Sequence, residues 1–263
     1  MLKRFLLGAC ALTLAMPALA DEAAAPNSVE SLFKGYNGAF VMHNTSGKPA
    51  YEYNAQQTSK VSAPCSTFKI VLALVGLETG VIKDESTIEK WDGKKAEVQT
   101  WNRDHNLESA MNESVNWYFQ RICTKIGTAN MNKYLKLLHY GNEDASSGLD
   151  NFWMSDEGSL RISPQQQVAF LEQLYKEKLP LSPRTQKLVK RIMKVDESPK
   201  GVLYGKTGTD GVKGKMVAGW FVGYVEGKDD THIFATNIQA ENGATGRKAR
   251  EISTKILKQL GDW

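Results

Sequence analysis

The sequence predicts an α+β domain: an antiparallel sheet flanked by terminal helices, with an all-helical lobe inserted between its early and late strands. Strand patterns stand at both ends of the chain, at residues 38–42 and 50–53 and again at 217–225 and 232–239, while residues from about 85 to 190 are mostly helical. Successive strands joined by short turns pair antiparallel. Because a sheet with helices on both faces is a stable layered arrangement, we expect an α/β/α sandwich.

The early hairpin and the helices are each predicted from local residue patterns. The turn formers Asn44, Ser46 and Gly47 separate the two early strands and predict a hairpin. Residues 67–78 carry apolar side chains on nearly every face, which is typical of a buried helix, and Gly80 ends it. Further helices are predicted at residues 107–127, 131–138, 164–176 and 247–260.

The order of these elements divides one domain, residues 21–263, into two lobes. We place the sheet lobe at about 21–65 and 195–263 and the helical lobe at about 66–194. A cleft between two lobes is a common place for a binding site.

Residues 1–20 have the composition of a secretory signal peptide. Lys3 and Arg4 precede an apolar run at residues 5–14, and Ala18-Leu19-Ala20 is a small-x-small cleavage site. The run is short for a membrane span, so we expect a secreted protein, periplasmic in a Gram-negative source, without stable membrane insertion after cleavage. Leu7-Gly8-Ala9-Cys10 leaves a lipid anchor open as the alternative.

The charge balance and the histidine spacing argue against a nucleic-acid binder and against a metal site, and the cysteines allow two states. Removal of Lys3 and Arg4 with the leader leaves 31 basic and 29 acidic residues, a balance that argues against a nucleic-acid binder. The histidines show no close metal-ligand spacing, so we expect no metal; they are His43, His105, His139 and His232. Cys65 and Cys123 form either a disulfide, which export permits, or two buried free thiols. A homodimer is left open.

Ser66-Thr67-Phe68-Lys69 is the first motif with chemical content. Residues i and i+3 share a helix face, so the Ser66 hydroxyl and the Lys69 amine can meet. The helix start offers free N–H groups to an oxyanion, and burial favours the neutral lysine, which can act as a base. A second copy, Ser31-x-x-Lys34, shows that the pattern is common, and an N-cap serine beside a snorkelling lysine is the plain alternative.

Two further motifs follow in order. Ser114-Val115-Asn116 stands in the helical lobe, and Lys206-Thr207-Gly208 precedes a late strand in glycine-rich sequence. Lysine and threonine at a strand edge suit a substrate carboxylate, and a backbone N–H just beyond them would complete an oxyanion hole. A Ser-x-x-Lys, then a Ser-x-Asn, then a Lys-Thr-Gly is the arrangement of penicillin-recognising serine enzymes.

The mature chain resembles the class D, or oxacillinase-type, serine β-lactamases over nearly all of its length. The resemblance rests on segments that recur in the family's order: Pro64-Cys65-Ser66-Thr67-Phe68-Lys69-Ile70, Trp91-Asp92-Gly93-Lys94, Trp101 with Arg103-Asp104 and Leu107, Tyr140-Gly141-Asn142, Phe152-Trp153, Leu160-Arg161-Ile162-Ser163, and Trp220-Phe221-Val222-Gly223.

This resemblance implies hydrolysis of β-lactam antibiotics through a Ser66 acyl-enzyme. It implies that Lys69 carries a CO2-derived carbamate as general base, with Trp153 bonded to it, and that no other cofactor takes part. Ser114 would pass a proton to the leaving nitrogen, and the N–H groups of Ser66 and Thr209 would hold the oxyanion. The substrate carboxylate would bind Lys206, Thr207 and Gly208 together with an arginine, Arg247 in preference to Arg250.

One residue departs from the family pattern. Class D enzymes usually have an apolar third residue in the middle motif, where this chain has Asn116, and residues 114–120 look more like the penicillin-sensing domains of β-lactam receptors. Three functions therefore stand side by side: a hydrolase, a soluble sensor that is acylated and turns over slowly, and a small cell-wall peptidase. The cleavable leader and the chain length favour the hydrolase.

Overall fold

A computed structural model describes residues 28–263, and the signal peptide predicted at residues 1–20 lies outside them. The fold is built on one six-stranded antiparallel sheet with the strand order β2-β1-β6-β5-β4-β3. The strands are β1 Asn37–Asn44, β2 Pro49–Tyr53, β3 Lys194–Ser198, β4 Gly201–Val212, β5 Lys215–Gly227 and β6 Thr231–Gln239. The antiparallel α+β class predicted from the sequence is confirmed.

The helices occupy both faces of the sheet and the long stretch between β2 and β3. They are α1 Val29–Leu32, α2 Ala55–Thr58, α3 Lys69–Glu78, α4 Leu107–Asn112, α5 Asn116–Leu137, α6 Pro164–Tyr175, α7 Pro183–Ile192 and α8 Gly246–Leu260, with short 3-10 turns at Cys65–Phe68 and Gln99–Trp101. The predicted N-terminal hairpin and the last helix are both confirmed.

Alternate residues of the sheet face two separate cores. Phe221 and Phe234 point to one face and pack with Ile252 and Ile256 of α8. Val222 and its neighbours on the other face join a larger core that the inserted helices fill. This period of two is what a sheet buried on both sides requires, and it gives the three-layer sandwich.

The helix predicted at residues 107–127 is interrupted at Ser114, whose φ is 57°, and so is divided into α4 and the first part of α5. Gly127, whose backbone is non-helical at φ 78°, separates that part from the helix predicted at residues 131–138. Strands β3 and β4 were not delimited from the sequence, and the glycines of β4 disfavour a strand by propensity. The long ladder of β4 with β5 outweighs that propensity.

The two cysteines of the described chain are free thiols. Cys65 and Cys123 are both buried and unbridged, so the disulfide alternative is wrong. Burial raises the pKa of Cys123 to about 12, which keeps that thiol unreactive.

No helix within residues 28–263 is both long and apolar enough to span a bilayer. In the same residues no three His, Cys, Asp or Glu side chains converge as metal ligands would.

Candidate active site

Ser66 lies in the 3-10 turn Cys65–Phe68, which runs directly into the buried helix α3. The turn is fixed by Thr67, whose backbone N–H and hydroxyl both donate to the Pro64 carbonyl oxygen, at 3.2 and 2.6 Å. Gln167 of α6 donates to the Thr67 hydroxyl at 2.9 Å, and both side chains are buried. The nucleophile candidate therefore stands on a rigid turn that is tied to the helical lobe.

Lys69 follows one turn later and is fully buried. Its Nζ donates to the Ser114 carbonyl oxygen at 2.6 Å, to Asn116 Oδ1 at 2.6 Å and to Ser114 Oγ at 3.0 Å. Burial holds the pKa of this amine well below its ordinary value, and the nearby Lys206 lowers it further. In the neutral form the lone pair on Nζ is free to accept a proton.

Ser114 stands between two lysines. Its Oγ accepts from Lys69 Nζ at 3.0 Å and from Lys206 Nζ at 2.9 Å. The hydroxyl proton is then left to donate to a third group, because a serine hydroxyl has two acceptor lone pairs and one donor. The left-handed backbone at Ser114 creates this position, which a continuous helix would not.

Lys206 reaches Ser114 from β4. Only 4% of it is exposed, and burial lowers the pKa of its amine to about 7. Its Nζ also donates to the Thr207 carbonyl oxygen at 3.0 Å. Two buried amines that share one hydroxyl repel each other when both are charged, so one of them is held readily in the neutral state.

Gly208 allows β4 to approach the nucleophile turn. A Cβ atom built at Gly208 would lie 3.0 Å from the Pro64 carbonyl oxygen and 3.3 Å from the Ser66 amide nitrogen. A side chain there would therefore push the strand away from Ser66. Thr209 comes next, and its hydroxyl accepts from the Gly246 N–H at 2.9 Å, where α8 begins.

Trp153 lies in the connection between α5 and α6. It is fully buried, its ring centroid is 5.8 Å from Lys69 Nζ, and its Nε1 has no hydrogen-bond partner within residues 28–263. A buried indole N–H without an acceptor is costly, so this donor fits an additional acceptor group beside Lys69.

The two arginine candidates are placed differently. Arg247 is exposed on the first turn of α8. Arg250 lines a cavity of about 70 Å³ together with Lys206 and Thr207. Its guanidinium stacks over Phe221, at 5.9 Å from the ring centroid. The Arg250 guanidinium also pairs with Asp196 Oδ2 at 3.4 Å and donates to the Val195 carbonyl oxygen at 3.3 Å. Arg247 directly follows Gly246, which packs against Thr207 and Gly208. The choice of Arg247 as the carboxylate ligand stays a prediction.

The second Ser-x-x-Lys copy lies elsewhere. Ser31 belongs to the short helix α1, which packs against α8, and its hydroxyl donates to the Ser28 carbonyl oxygen at 2.7 Å. Of the two copies, the one at Ser66 supplies the lysine, Lys69, that contacts Ser114.

An acidic pair beside the site was missed from the sequence. The N–H of Asp156 donates to Asp210 Oδ2 at 3.0 Å, and Asp156 Oδ1 accepts from the Ala63 N–H at 2.9 Å. Asp210 is 1% exposed, and burial raises the pKa of its carboxyl group. The sequence signal that could have indicated Asp210 is its spacing: it stands four residues after Lys206, so in a strand the side chains of Lys206 and Asp210 lie on the same face.

Most of the chain matches one family model. Residues 30–258 match the penicillin-binding protein transpeptidase domain. The chain is 42% identical over 234 residues to the probable β-lactamase YbxI of Bacillus subtilis, with 89% of this chain and 85% of that protein covered. A solved structure of a class D β-lactamase from Bacillus subtilis is similar with a TM-score of 0.83 at 42% identity, over 89% of this chain and 96% of that one.

A receptor domain is equally similar in structure. The C-terminal domain of the Bacillus licheniformis BlaR penicillin-receptor gives a TM-score of 0.84 at 39% identity, over 89% of this chain and 95% of that domain. The chain spans only 37% of the full-length regulatory protein BlaR1 from that species, at 41% identity over 225 residues. The same fold thus occurs in hydrolases and in a receptor.

Proposed function

The chain belongs to the penicillin-binding protein transpeptidase domain family, as its resemblance to class D β-lactamases predicts, and we propose that it is a serine β-lactamase that hydrolyses penicillin-type antibiotics. The observation that carries this proposal is the convergence of two buried lysines, Lys69 and Lys206, on the hydroxyl of Ser114, with Ser66 on the turn that leads into Lys69. With the leader at residues 1–20, we propose that it acts after export and confers antibiotic resistance.

Acylation uses groups that the fold already brings together. The Ser66 hydroxyl oxygen attacks the β-lactam carbonyl carbon and passes its proton towards the Lys69 side. The N–H groups of Ser66 and Thr209 hold the resulting oxyanion. The C–N bond then breaks, and the ring nitrogen takes the proton of Ser114, which is replaced from the flanking lysines. Lys206 and Thr207 bind the substrate carboxylate.

The surroundings of Lys69 fit a carbamate on Nζ. Only a neutral amine reacts with CO2, and burial favours that form. The buried Nε1 of Trp153 is a donor without an acceptor in the described chain, which suits a carboxylate beside it. When present, such a group supplies a general base for acylation and for the water that hydrolyses the acyl-enzyme. The aromatic rings of Trp101, Phe119 and Trp153 around Lys69 exclude bulk water.

A second function has its own observation. Asn116 Oδ1 accepts from Lys69 Nζ at 2.6 Å, a bond that stabilises the unmodified lysine. A chain that keeps Lys69 unmodified after acylation would hold the acyl group, as a soluble penicillin sensor does. The receptor domain of similar structure supports this alternative.

Two measurements test the proposal. Intact-mass spectrometry with benzylpenicillin should show one adduct, mapped to Ser66 and absent from Ser66→Ala, while Ser31→Ala serves as the matched control and is acylated normally. Turnover of a chromogenic cephalosporin then separates the functions. Steady hydrolysis supports the enzyme, and one stoichiometric burst supports the sensor. An adduct that persists in Ser66→Ala would overturn both.

The state of Lys69 is measured directly. After equilibration with 13C-bicarbonate, the native protein should give a carbamate carbon signal in its NMR spectrum, and Lys69→Met should not. An identical signal in both proteins would contradict carboxylation of Lys69.

A further inference from the structure

Strand β4 orders the groups of a bound substrate along its length, if the chain acts on β-lactams as proposed. The carboxylate lies at Lys206 and Thr207, and the carbonyl oxygen lies at the N–H of Thr209. The remaining substituent, the acylamino side chain, extends away from the carboxylate and therefore reaches Asp210 and Gly211. One strand residue advances about 3.3 Å, so Lys206 and Asp210 stand roughly 13 Å apart along the strand.

A cavity of about 460 Å³ opens at that end of the strand. One wall is the segment Thr209–Gly211 of β4. The opposite wall is the connection between α5 and α6, through Ser147, Asn151, Ser155 and Glu157. Thr209 belongs both to this cavity and to the proposed oxyanion hole, so a side chain of an acylated substrate enters the cavity without moving the reacting carbonyl.

The charged residues that line this cavity are both acidic, and Arg161 lies outside the lining, facing Asp156 and acting electrostatically on Asp210. Among the described residues that line the cavity, Asp210 and Glu157 are acidic and none is basic. Asp210 is 1% exposed, and its Oδ1 has no hydrogen-bond partner in the described chain. Glu157 is exposed and forms no ion pair within residues 28–263. The neighbouring Asp156 is partly neutralised, since Arg161 Nε lies 3.9 Å from its Oδ1.

The strand therefore carries positive charge at one end of the site and negative charge at the other. Lys206 and the cavity of Arg250 stand at the carboxylate end, and Asp210 and Glu157 stand at the acylamino end. Within residues 28–263 the buried Asp210 forms no ion pair and its Oδ1 has no hydrogen-bond partner, an unfavourable arrangement that a cation carried by the substrate would relieve.

We propose that this cavity selects β-lactams whose acylamino side chain carries an ammonium group, and discriminates against those that carry a second carboxylate. The inference rests on the proposed function and adds the substrate class. A zwitterionic penicillin matches both ends of the site, whereas a dianionic one meets Asp210 and Glu157 with like charge.

Three penicillins that differ at a single carbon test the selection. Benzylpenicillin carries hydrogen on the side-chain α-carbon, ampicillin an ammonium group and carbenicillin a carboxylate. The measured quantity is the second-order rate constant of Ser66 acylation, followed by intact mass or by competition with a fluorescent penicillin. This quantity is defined for an enzyme and for a sensor alike. We expect ampicillin to acylate the protein at least about 10-fold faster than carbenicillin at low ionic strength.

Two variants assign the effect to the cavity. One unit charge at about 4 Å in water attracts an ammonium and repels a carboxylate by about 1 kcal/mol each, so Glu157→Gln should lower the ampicillin-to-carbenicillin ratio by up to about 30-fold. Asp210→Asn keeps an oxygen for the Asp156 N–H and should lower the ratio as well. Asp229→Asn removes one exposed carboxylate from the turn between β5 and β6, and should leave the ratio unchanged.

The outcomes separate the two proposals. No acylation by any of the three compounds overturns the proposed function. Acylation by all three at similar rates overturns the selection alone, and so does a ratio that falls equally in Asp229→Asn. A ratio that shrinks as ionic strength rises, and that falls only in the cavity variants, supports it.

Discussion

Replacement of Asn116 by valine tests whether this amide limits the deacylation step. In the native protein Asn116 Oδ1 accepts from Lys69 Nζ at 2.6 Å, so the amide stabilises the unmodified amine. A hydrogen bond contributes about 0.5–1.5 kcal/mol net, and its loss should shift the carboxylation equilibrium of Lys69 roughly 2- to 13-fold towards the carbamate. We expect Asn116→Val to deacylate faster and to depend less on bicarbonate, with acylation changed less.

The assay is single-turnover acylation and deacylation of both proteins over a bicarbonate series, starting from CO2-depleted buffer. Asn130→Val is the matched control, because Asn130 lies beyond the non-helical backbone of Gly127 in the second part of α5 and its amide donates to the Ile126 carbonyl oxygen, away from the site. Slower deacylation of Asn116→Val at every bicarbonate concentration would refute the reasoning, since it would make the amide a supporting catalytic donor.

Three further tests probe the geometry and charge of the site. Gly208→Ala should slow acylation on the order of 100-fold, because the added Cβ displaces strand β4 from the turn that carries Ser66. Gly227→Ala is the control: its Cβ would also lie 3.0 Å from a backbone oxygen, but away from Ser66, and acylation should keep its rate. Burial lowers the pKa of Lys206 to about 7, so between pH 7 and 10 the folded chain binds fewer protons than the unfolded one and native stability rises with pH. Thermal unfolding of Lys206→Met should show a smaller rise, since the lowered pKa of Lys69 still contributes. Arg247→Ala should raise KM more than it lowers kcat, and the same effect in Arg250→Ala alone would assign the carboxylate to Arg250 instead.

The three-residue spacing of Ser66 and Lys69 was enough to predict from the sequence that they lie on the same turn. Both residues lie within one turn, and the sequence placed that turn at the start of a buried helix, where the structure has it. Distances along one helix are fixed by its geometry, so no tertiary information was needed.

The position of Ser114 could not be read from periodicity. The apolar pattern over residues 107–127 predicts one helix, yet Val115 N–H bonds to the Ala110 carbonyl and the chain leaves helical geometry. The choice between the two arginines could not be made from periodicity either. Arg247 and Arg250 are one helical turn apart, and which of them meets Thr207 depends on how α8 sits against β4, where Gly246 lies close to the Gly208 carbonyl oxygen.

The strand order gives this protein a demanding folding route. Strand β1 pairs with β6, from Asn37 opposite Gln239 to Asn44 opposite His232, so partners roughly 200 residues apart must meet. Such non-local pairing slows folding, because the loop-closure entropy is lost before the contacts form. The centre of the sheet is therefore completed only after nearly the whole chain is available. Lys206 likewise reaches Ser114 from a distant segment. Covalent labelling of Ser66 by a penicillin should then report late folding, appearing only in chains that have closed the sheet.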